Sequence, residues 1–237
     1  MKQFFKSILP DSTLDILRRI FKNFSFVTSP GLHNFQKILT PFNVYKNRNK
    51  INRKLEIGPG LECLDGFETM NIIGGKNIDY VINAGKKLPF NDESFELIYA
   101  SHVLEHLPWY HVEDSLKEWF RVLKKNGALE LFVPDGLKVC NAFVLGETQN
   151  SNLFMQDDWY KFNSEKDPCV WANGRIFSYG GGDGERKNPN WHMSLFSERY
   201  LNMLLLKIGF KNIEKLSSSD VRGHDHGWIN LGLRAIK

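Results

Sequence analysis

The chain has 237 residues, of which 42% are hydrophobic and 24% charged, with a formal net charge of +4; this is the balance of a globular protein with one sizeable core and elaborations, or at most two small domains. No apolar run approaches the roughly 20 residues that span a bilayer, and Met1–Pro10 lacks the charged start, apolar centre and small-residue cleavage site of a secretory signal. Three cysteines, Cys63, Cys140 and Cys169, form no C-x-x-C pair, which argues against a disulfide framework or a zinc ribbon and places the chain in the reducing cytoplasm.

The charge is unevenly spread. Residues 1–54 hold eleven Lys and Arg against two Asp and no Glu, a local +9 within a total of +4, so the rest of the chain carries −5. A nucleic-acid binder is expected to carry a basic face on its folded domain, so nucleic acid is not an expected partner. Residues 1–53 read as a basic helical extension. Ser12 caps a helix with Asp15 three residues on, and Leu14, Leu17, Ile20, Phe21 and Phe24 share one face. Arg18, Arg19 and Lys22 fall largely off that stripe, so residues 1–24 either pack on the domain behind them or make peripheral contact with the inner face of an anionic membrane. Pro30-Gly31, Pro41 and the polar run Lys46–Lys54 then punctuate the arm.

From Lys54 the pattern predicts a strand over 54–57, a Gly58-Pro-Gly60 turn, and strands over 68–72, 79–83 and 95–101. A helix over 109–124 and a fifth strand over 128–133 follow. About ten residues separate the Gly turn from the second strand, near the minimum for a parallel crossover, so the first helix must be a single turn or irregular. In the long helix Val112, Leu116, Trp119, Phe120 and Leu123 form one apolar face, Lys124 and Lys125 suit the carboxyl-terminal dipole, and Gly127 closes the helix. The fourth and fifth strands are mostly apolar, as central parallel strands covered on both faces are. Residues 147–196 are rich in Gly, Asn and aromatics, which predicts a cap inserted in the 54–237 domain and hinged at Gly180–Gly184. Ser197 opens a helix with Leu201, Leu204 and Leu205 inward, and 211–217 and 228–236 read as two last strands joined by a loop that carries His224-Asp225-His226. The fold class is α/β.

Three blocks point to a family: Leu55-Glu-Ile-Gly-Pro-Gly60, the run from Leu88 to Leu107, and the run from Arg121 to Asp135. In that order they resemble the class I S-adenosylmethionine-dependent methyltransferases, with most likeness to the small bacterial branch associated with polysaccharide and cell-surface glycan biosynthesis. The resemblance implies a Rossmann-like methyltransferase sheet, mostly parallel with an antiparallel carboxyl-terminal strand pair and helices on both faces. It implies S-adenosylmethionine as cofactor, with Glu56 near its ammonium and the Gly58, Pro59 and Gly60 turn near its carboxylate. Asn71 stands where the family places an acid on the ribose, and Asn83, followed by Ala84, stands where it places one near adenine. An amide lacks the charge that strengthens such contacts. Ser101 and His102, at the end of strand four, sit at the edge where open parallel sheets bind ligands.

Methyl transfer to a hydroxyl or amine of a sugar or glycan precursor asks for alignment and gains from a general base. His106, Asp135, His192 and His224 are the candidates, and no spacing selects among them. Trp159, Trp171 and Trp191 suit stacking on an acceptor ring or form the cap's own core. Two other classes stand beside this reading: a noncatalytic methyltransferase-fold module partnering a glycan enzyme, and a zinc hydrolase through His102-x-x-Glu105-His106. That zinc motif belongs within a helix, whereas Pro108 two residues on favours a turn, so no metal is expected. His224-x-His226 reads as a loop supporting the active site rather than as a ligand pair.

Overall fold

The computed structural model describes residues 30–60, 63–157, 162–178 and 188–237. Its described residues form a seven-stranded sheet of β1 (Lys54–Ile57), β2 (Glu68–Asn71), β3 (Tyr80–Val81), β4 (Phe95–Ser101), β5 (Leu123–Pro134), β6 (Lys211–Leu216) and β7 (Asn230–Ile236). The strand order is β3-β2-β1-β4-β5-β7-β6, parallel except that β7 runs antiparallel to both neighbours. This is the sheet expected from the sequence, mostly parallel with an antiparallel carboxyl-terminal strand pair. Strand order reverses between β1 and β4, so the loops leaving these two strands diverge and open a crevice at their carboxyl ends.

Helix α1 (Pro30–Asn47) replaces the punctuation read into the arm. Proline suits a first helical position because the N–H it lacks would be unpaired there, while Pro41 sits inside the helix. α1 lies along the edge strand β3. Val81 N–H donates to Thr40 Oγ1 at 2.9 Å, Asn43 Nδ2 donates to Asp79 O at 2.8 Å, and Asn47 Nδ2 donates to Tyr80 Oη at 2.7 Å. An exposed strand edge invites pairing with another chain, and α1 covers this one. Arg53, only 4% exposed, also belongs to the domain rather than to the extension, with its guanidinium bidentate on Glu68 at 2.9 and 2.8 Å. The helix read from Ser12, the membrane contact of residues 1–24, Trp159 and the Gly180–Gly184 hinge lie outside the described residues.

The long helix is shorter than its pattern. α2 (Val112–Val122) follows a 3₁₀ turn over Trp109–His111, and β5 begins at Leu123. Val112, Leu116 and Trp119 are buried against the sheet, as the periodicity predicts, while Phe120 is half-buried, Leu123 is buried as the first residue of β5, and Val122, outside the expected stripe, is buried too. What ends the helix early is tertiary. Glu93 and Ser94 N–H donate to Arg121 O and Val122 O, and Lys237 Nζ donates to the carbonyls of Phe120, Arg121 and Leu123. With its orphan carbonyls satisfied by other segments, the helix needs no further turn, and Lys124 reaches Glu96 at 3.0 Å instead.

The cap is also built differently. Helix α3 (Gly136–Gln149), absent from the sequence reading, leaves β5 with Asp135 as its N-cap, and α4 (Pro168–Asn173) packs back on it. Val139 and Ala142 of α3 make a second small core with Phe154, Trp171 and Ala172. Helix α5 (Glu198–Ile208) starts at the Ser197 cap and buries Leu201, Leu204 and Leu205 in the main core, as expected. Among the described residues, no helix joins β1 to β2, and none is long and apolar enough to cross a membrane.

Candidate active site

The carboxyl ends of β1 and β4 open into one cavity of about 1030 Å3. One side is the loop after β1. Gly58 has φ +68°, in the left-handed region, and its N–H donates to Met70 O at 2.8 Å, which turns the chain sharply at the sheet edge. A Cβ on Gly58 would lie 2.3 Å from Val103 Cγ2, whereas one on Gly60 would meet nothing within 4 Å. Glu56, buried on β1, accepts a hydrogen bond from Leu64 N–H at 2.8 Å and so ties the loop back to the strand. Burial pushes its carboxyl above the usual range, and the Leu64 N–H offsets only part of that. A buried acid beside open glycine backbone can receive an ammonium and a carboxylate together.

The opposite side is a wall of histidines. β4 ends at Ser101, and His102 takes φ +53°, a conformation that costs a residue with a Cβ and often marks a functional site. Asn230 Nδ2 donates to Asp225 Oδ1 at 2.7 Å, which turns the amide oxygen toward His102 Nε2 at 2.8 Å and makes that nitrogen a donor. The other nitrogen, Nδ1, lies 3.1 Å from Glu105 Oε1. His226 lies over the His102 ring with centroids 3.7 Å apart, and His224 meets His226 edge-on at 4.7 Å. On the far side of Glu105, His106 and His192 meet edge-on at 4.9 Å. Burial, with His102 and His224 adding to it, brings His226 down to about 3, and burial also lowers His192. Both rings are therefore neutral at pH 7 and offer lone pairs.

Glu105 is the centre of this wall. It sits in a 3₁₀ turn over Leu104–His106 and is 1% exposed. Burial alone would raise its carboxyl, but His102, His106 and His192 outweigh burial and hold it well below the usual range. Among the described residues its oxygens accept no hydrogen bond, and His102 Nδ1 stands within ion-pair distance of one of them. Arg175 and Arg222 close the cavity, each anchored on a buried carboxylate: Arg175 on Asp157, and Arg222 on Glu130 at 2.7 and 3.1 Å.

Of the residues assigned to the cofactor from sequence, Glu56, Gly58, Gly60, Ser101 and His102 line the cavity, with Pro59 buried between the glycines. Asn71, Asn83 and Ala84 do not line it. Asn71 Oδ1 accepts from Ile72 N–H and Asn83 Oδ1 from Gly85 N–H, both at 2.8 Å, the local closure to which short amide side chains are prone; Ala84 O accepts from Trp119 Nε1. Three candidate bases, His106, His192 and His224, reach the cavity. Asp135 does not, because its Oδ1 accepts from Leu137 and Lys138 N–H at the start of α3. Trp171 is fully buried, stacked on Trp228 and bonded through Nε1 to Asp157 at 2.9 Å, so it is core and not an acceptor platform. Trp191 contributes its carbonyl, which faces His106 Nδ1 at 3.2 Å, rather than a ring against the cavity. Sequence reasoning gave no site role to Arg175, Arg222 or Tyr99, since nothing local distinguishes them; the alternation His224-x-His226 was the one signal for His226.

The comparisons with known proteins bear on this site. Residues 64–131 match the family model described as a methyltransferase domain. The match runs from the loop after β1 into β5, including the turn that carries His102, Glu105 and His106, and covers less than a third of the chain. No curated protein matches. Among solved structures, the chain is similar to the CurJ carbon methyltransferase, with 14% identity, 85% of this chain and 53% of that one covered, and a TM-score of 0.44. It is similar to the citrinin polyketide synthase CMeT domain, with 14% identity, 78% and 46% covered, and a TM-score of 0.45. A SAM-dependent methyltransferase from Thermotoga maritima is 20% identical, with 100% of both chains covered and a TM-score of 0.41. The chain spans about half the length of the first two.

Proposed function

We propose that the protein is an S-adenosylmethionine-dependent methyltransferase that acts on a hydroxyl or amine of a sugar or glycan precursor. One observation carries this reading: Glu56 with the open backbone at Gly58–Gly60, and the histidine wall from His102 to His106, face a single cavity at the point where strand order reverses. Its volume of about 1030 Å3 sits at the upper end of the roughly 300–1,000 Å3 of small-molecule pockets and leaves room for a donor and an acceptor together. Glu56 would hold the amino-acid end of the cofactor. His106, His192 and His224 line the same cavity and supply nitrogens that could accept the proton of an acceptor hydroxyl. Displacement at the methyl carbon gains most from alignment, with reacting atoms about 3–3.5 Å apart. Asn190, Arg175 and Arg222 add hydrogen-bonding groups to the same walls, which suits a hydroxyl-rich acceptor. The cytoplasm, at the inner face of the membrane where glycan precursors are assembled, is the matching location.

A second reading has an observation of its own. Asn71 and Asn83 close on their own backbone and stand outside the cavity, which favours a methyltransferase-fold module with a weakened adenosine side. Calorimetric titration with S-adenosylmethionine and S-adenosylhomocysteine separates the two, with Gly60→Arg as the control because a Cβ at Gly60 meets nothing within 4 Å and the residue lines the cavity. Micromolar binding in the parent protein, lost in a variant that melts at the parent temperature, establishes the cofactor site. Absence of binding to the folded parent overturns the enzymatic reading in favour of the noncatalytic one.

A further inference from the structure

A buried carboxylate that accepts no hydrogen bond is an expensive arrangement unless a cation completes it. Among the described residues Glu105 is such a group, and His102 Nδ1 approaches one of its two oxygens at 3.1 Å. Its other neighbours are imidazoles. One ligand atom each from Glu105, His106 and His192 lies within 4.8 Å of the other two. Zinc bonds of about 2.0–2.1 Å set ligand atoms roughly 3.3 Å apart, so modest side-chain rotation closes the three around one ion.

The surroundings prepare these rings as ligands. His106 Nδ1 faces Trp191 O at 3.2 Å, and His192 Nδ1 faces Arg175 O at 2.9 Å. A carbonyl can only accept, so both Nδ1 atoms donate, and the tautomer so fixed puts each lone pair on Nε2. A ring nitrogen donating to a backbone carbonyl is the outer partner that metal-bound histidines almost always have. Backbone bonds also fix the two segments together: Met193 and Ser194 N–H donate to Glu105 O at 2.7 and 3.1 Å, and His192 N–H donates to Phe177 O at 2.6 Å. His192 is thus held against the turn of Glu105 and His106 although it lies 86 positions after His106 in the sequence.

We propose that Glu105, His106 and His192 form a binding site for one divalent transition-metal ion of the zinc class. Two imidazoles and one carboxylate suit zinc, and leave a coordination position open toward the cavity that all three residues line. His102 is not a ligand: its Nε2 donates to Asn230, and it positions Glu105. The ligand set therefore differs from the H-x-x-E-H peptidase pattern, in which both histidines of the motif bind. An ion here would occupy Nε2 of His106 and His192 and so leave His224 as the candidate base on the cavity wall, while it would draw an acceptor hydroxyl oxygen to the open position and lower its pKa. That role rests on the proposed methyltransferase function; the site itself does not.

The test is equilibrium dialysis of the chelator-stripped full chain against Zn2+, with Co2+ as a spectroscopic probe, and with melting temperatures read alongside. One equivalent of Zn2+ is expected, raising the melting temperature, with visible Co2+ bands that Zn2+ displaces. His106→Ala and His192→Ala should each weaken Zn2+ binding by more than about 100-fold, beyond the 10–100-fold typical of losing an outer partner. Glu105→Gln should abolish the Co2+ bands, and His224→Ala should leave affinity within about threefold. Absence of stoichiometric binding overturns the site, as does binding that survives both histidine variants or falls equally in His224→Ala. S-adenosylhomocysteine titration of the same samples keeps the two hypotheses apart: cofactor binding without zinc defeats only the metal site, and zinc without cofactor defeats only the methyltransferase reading.

Discussion

Gly58 and Gly60 look equivalent in the sequence, and the structure predicts that they fail differently. In Gly58→Ala the new Cβ would stand 2.3 Å from Val103 Cγ2, inside the 3.0 Å that real Cβ contacts respect, and would have to hold φ +68°. Left-handed backbone costs a residue with a Cβ about 1–2 kcal/mol, and overpacking of this size costs about 1–3 kcal/mol. The sum is about 2–5 kcal/mol, or roughly 4–20 °C of melting temperature at the 2–4 °C per kcal/mol of a chain this size. Val103 opens the turn that holds Glu105, so its displacement reaches the histidine wall as well. Gly60→Ala has open space and a φ outside the left-handed region, and should stay within about 0.5 kcal/mol of the parent. Thermal unfolding of the two variants followed by circular dichroism measures the difference. Equal melting temperatures would refute the argument that Gly58 is a packing and backbone requirement distinct from ligand approach.

Two further predictions concern the site and its support. Trp171→Ala should cost about 3–5 kcal/mol, the range for removing a buried Trp, and leave S-adenosylhomocysteine affinity within about twofold; parent stability with loss of acceptor turnover would restore Trp171 to the acceptor site. Glu56 gives a pH dependence. Because burial raises its native pKa, folding without ligand favours the protonated form, and Glu56's contribution to stability declines as pH rises from the unfolded carboxyl range through the raised native value. A ligand ammonium needs the ionised form, so cofactor affinity should rise with pH through that same value, by up to about tenfold per unit below it. Glu56→Gln should flatten the profile measured by calorimetry between pH 5 and 8, and an unchanged slope would remove Glu56 from the ammonium site.

What the sequence by itself determined was set by local periodicity and short-range backbone chemistry. The apolar runs at β1, β4 and β5, the glycine at the left-handed turn, the stripe of α2 and the Ser197 cap of α5 each act within a few residues, and these place the Gly58–Gly60 loop and the His102–His106 turn. Tertiary structure decided the rest. α2 ends at Val122 because Glu93, Ser94 and Lys237 reach its carbonyls from distant segments. Lys138 Nζ secures α3 to the start of β7 and the turn before it through the carbonyls of Asn230 and Trp228, which fixes the ground on which Trp171 is buried. The roles of the histidines were decided latest of all. Which ring nitrogen donates depends on the carbonyls of Trp191 and Arg175 and on the Asn230 amide, and no spacing along the chain encodes that His192 comes to rest beside Glu105. A carboxylate becomes a binding group here because folding buries it and brings imidazoles from distant segments against it.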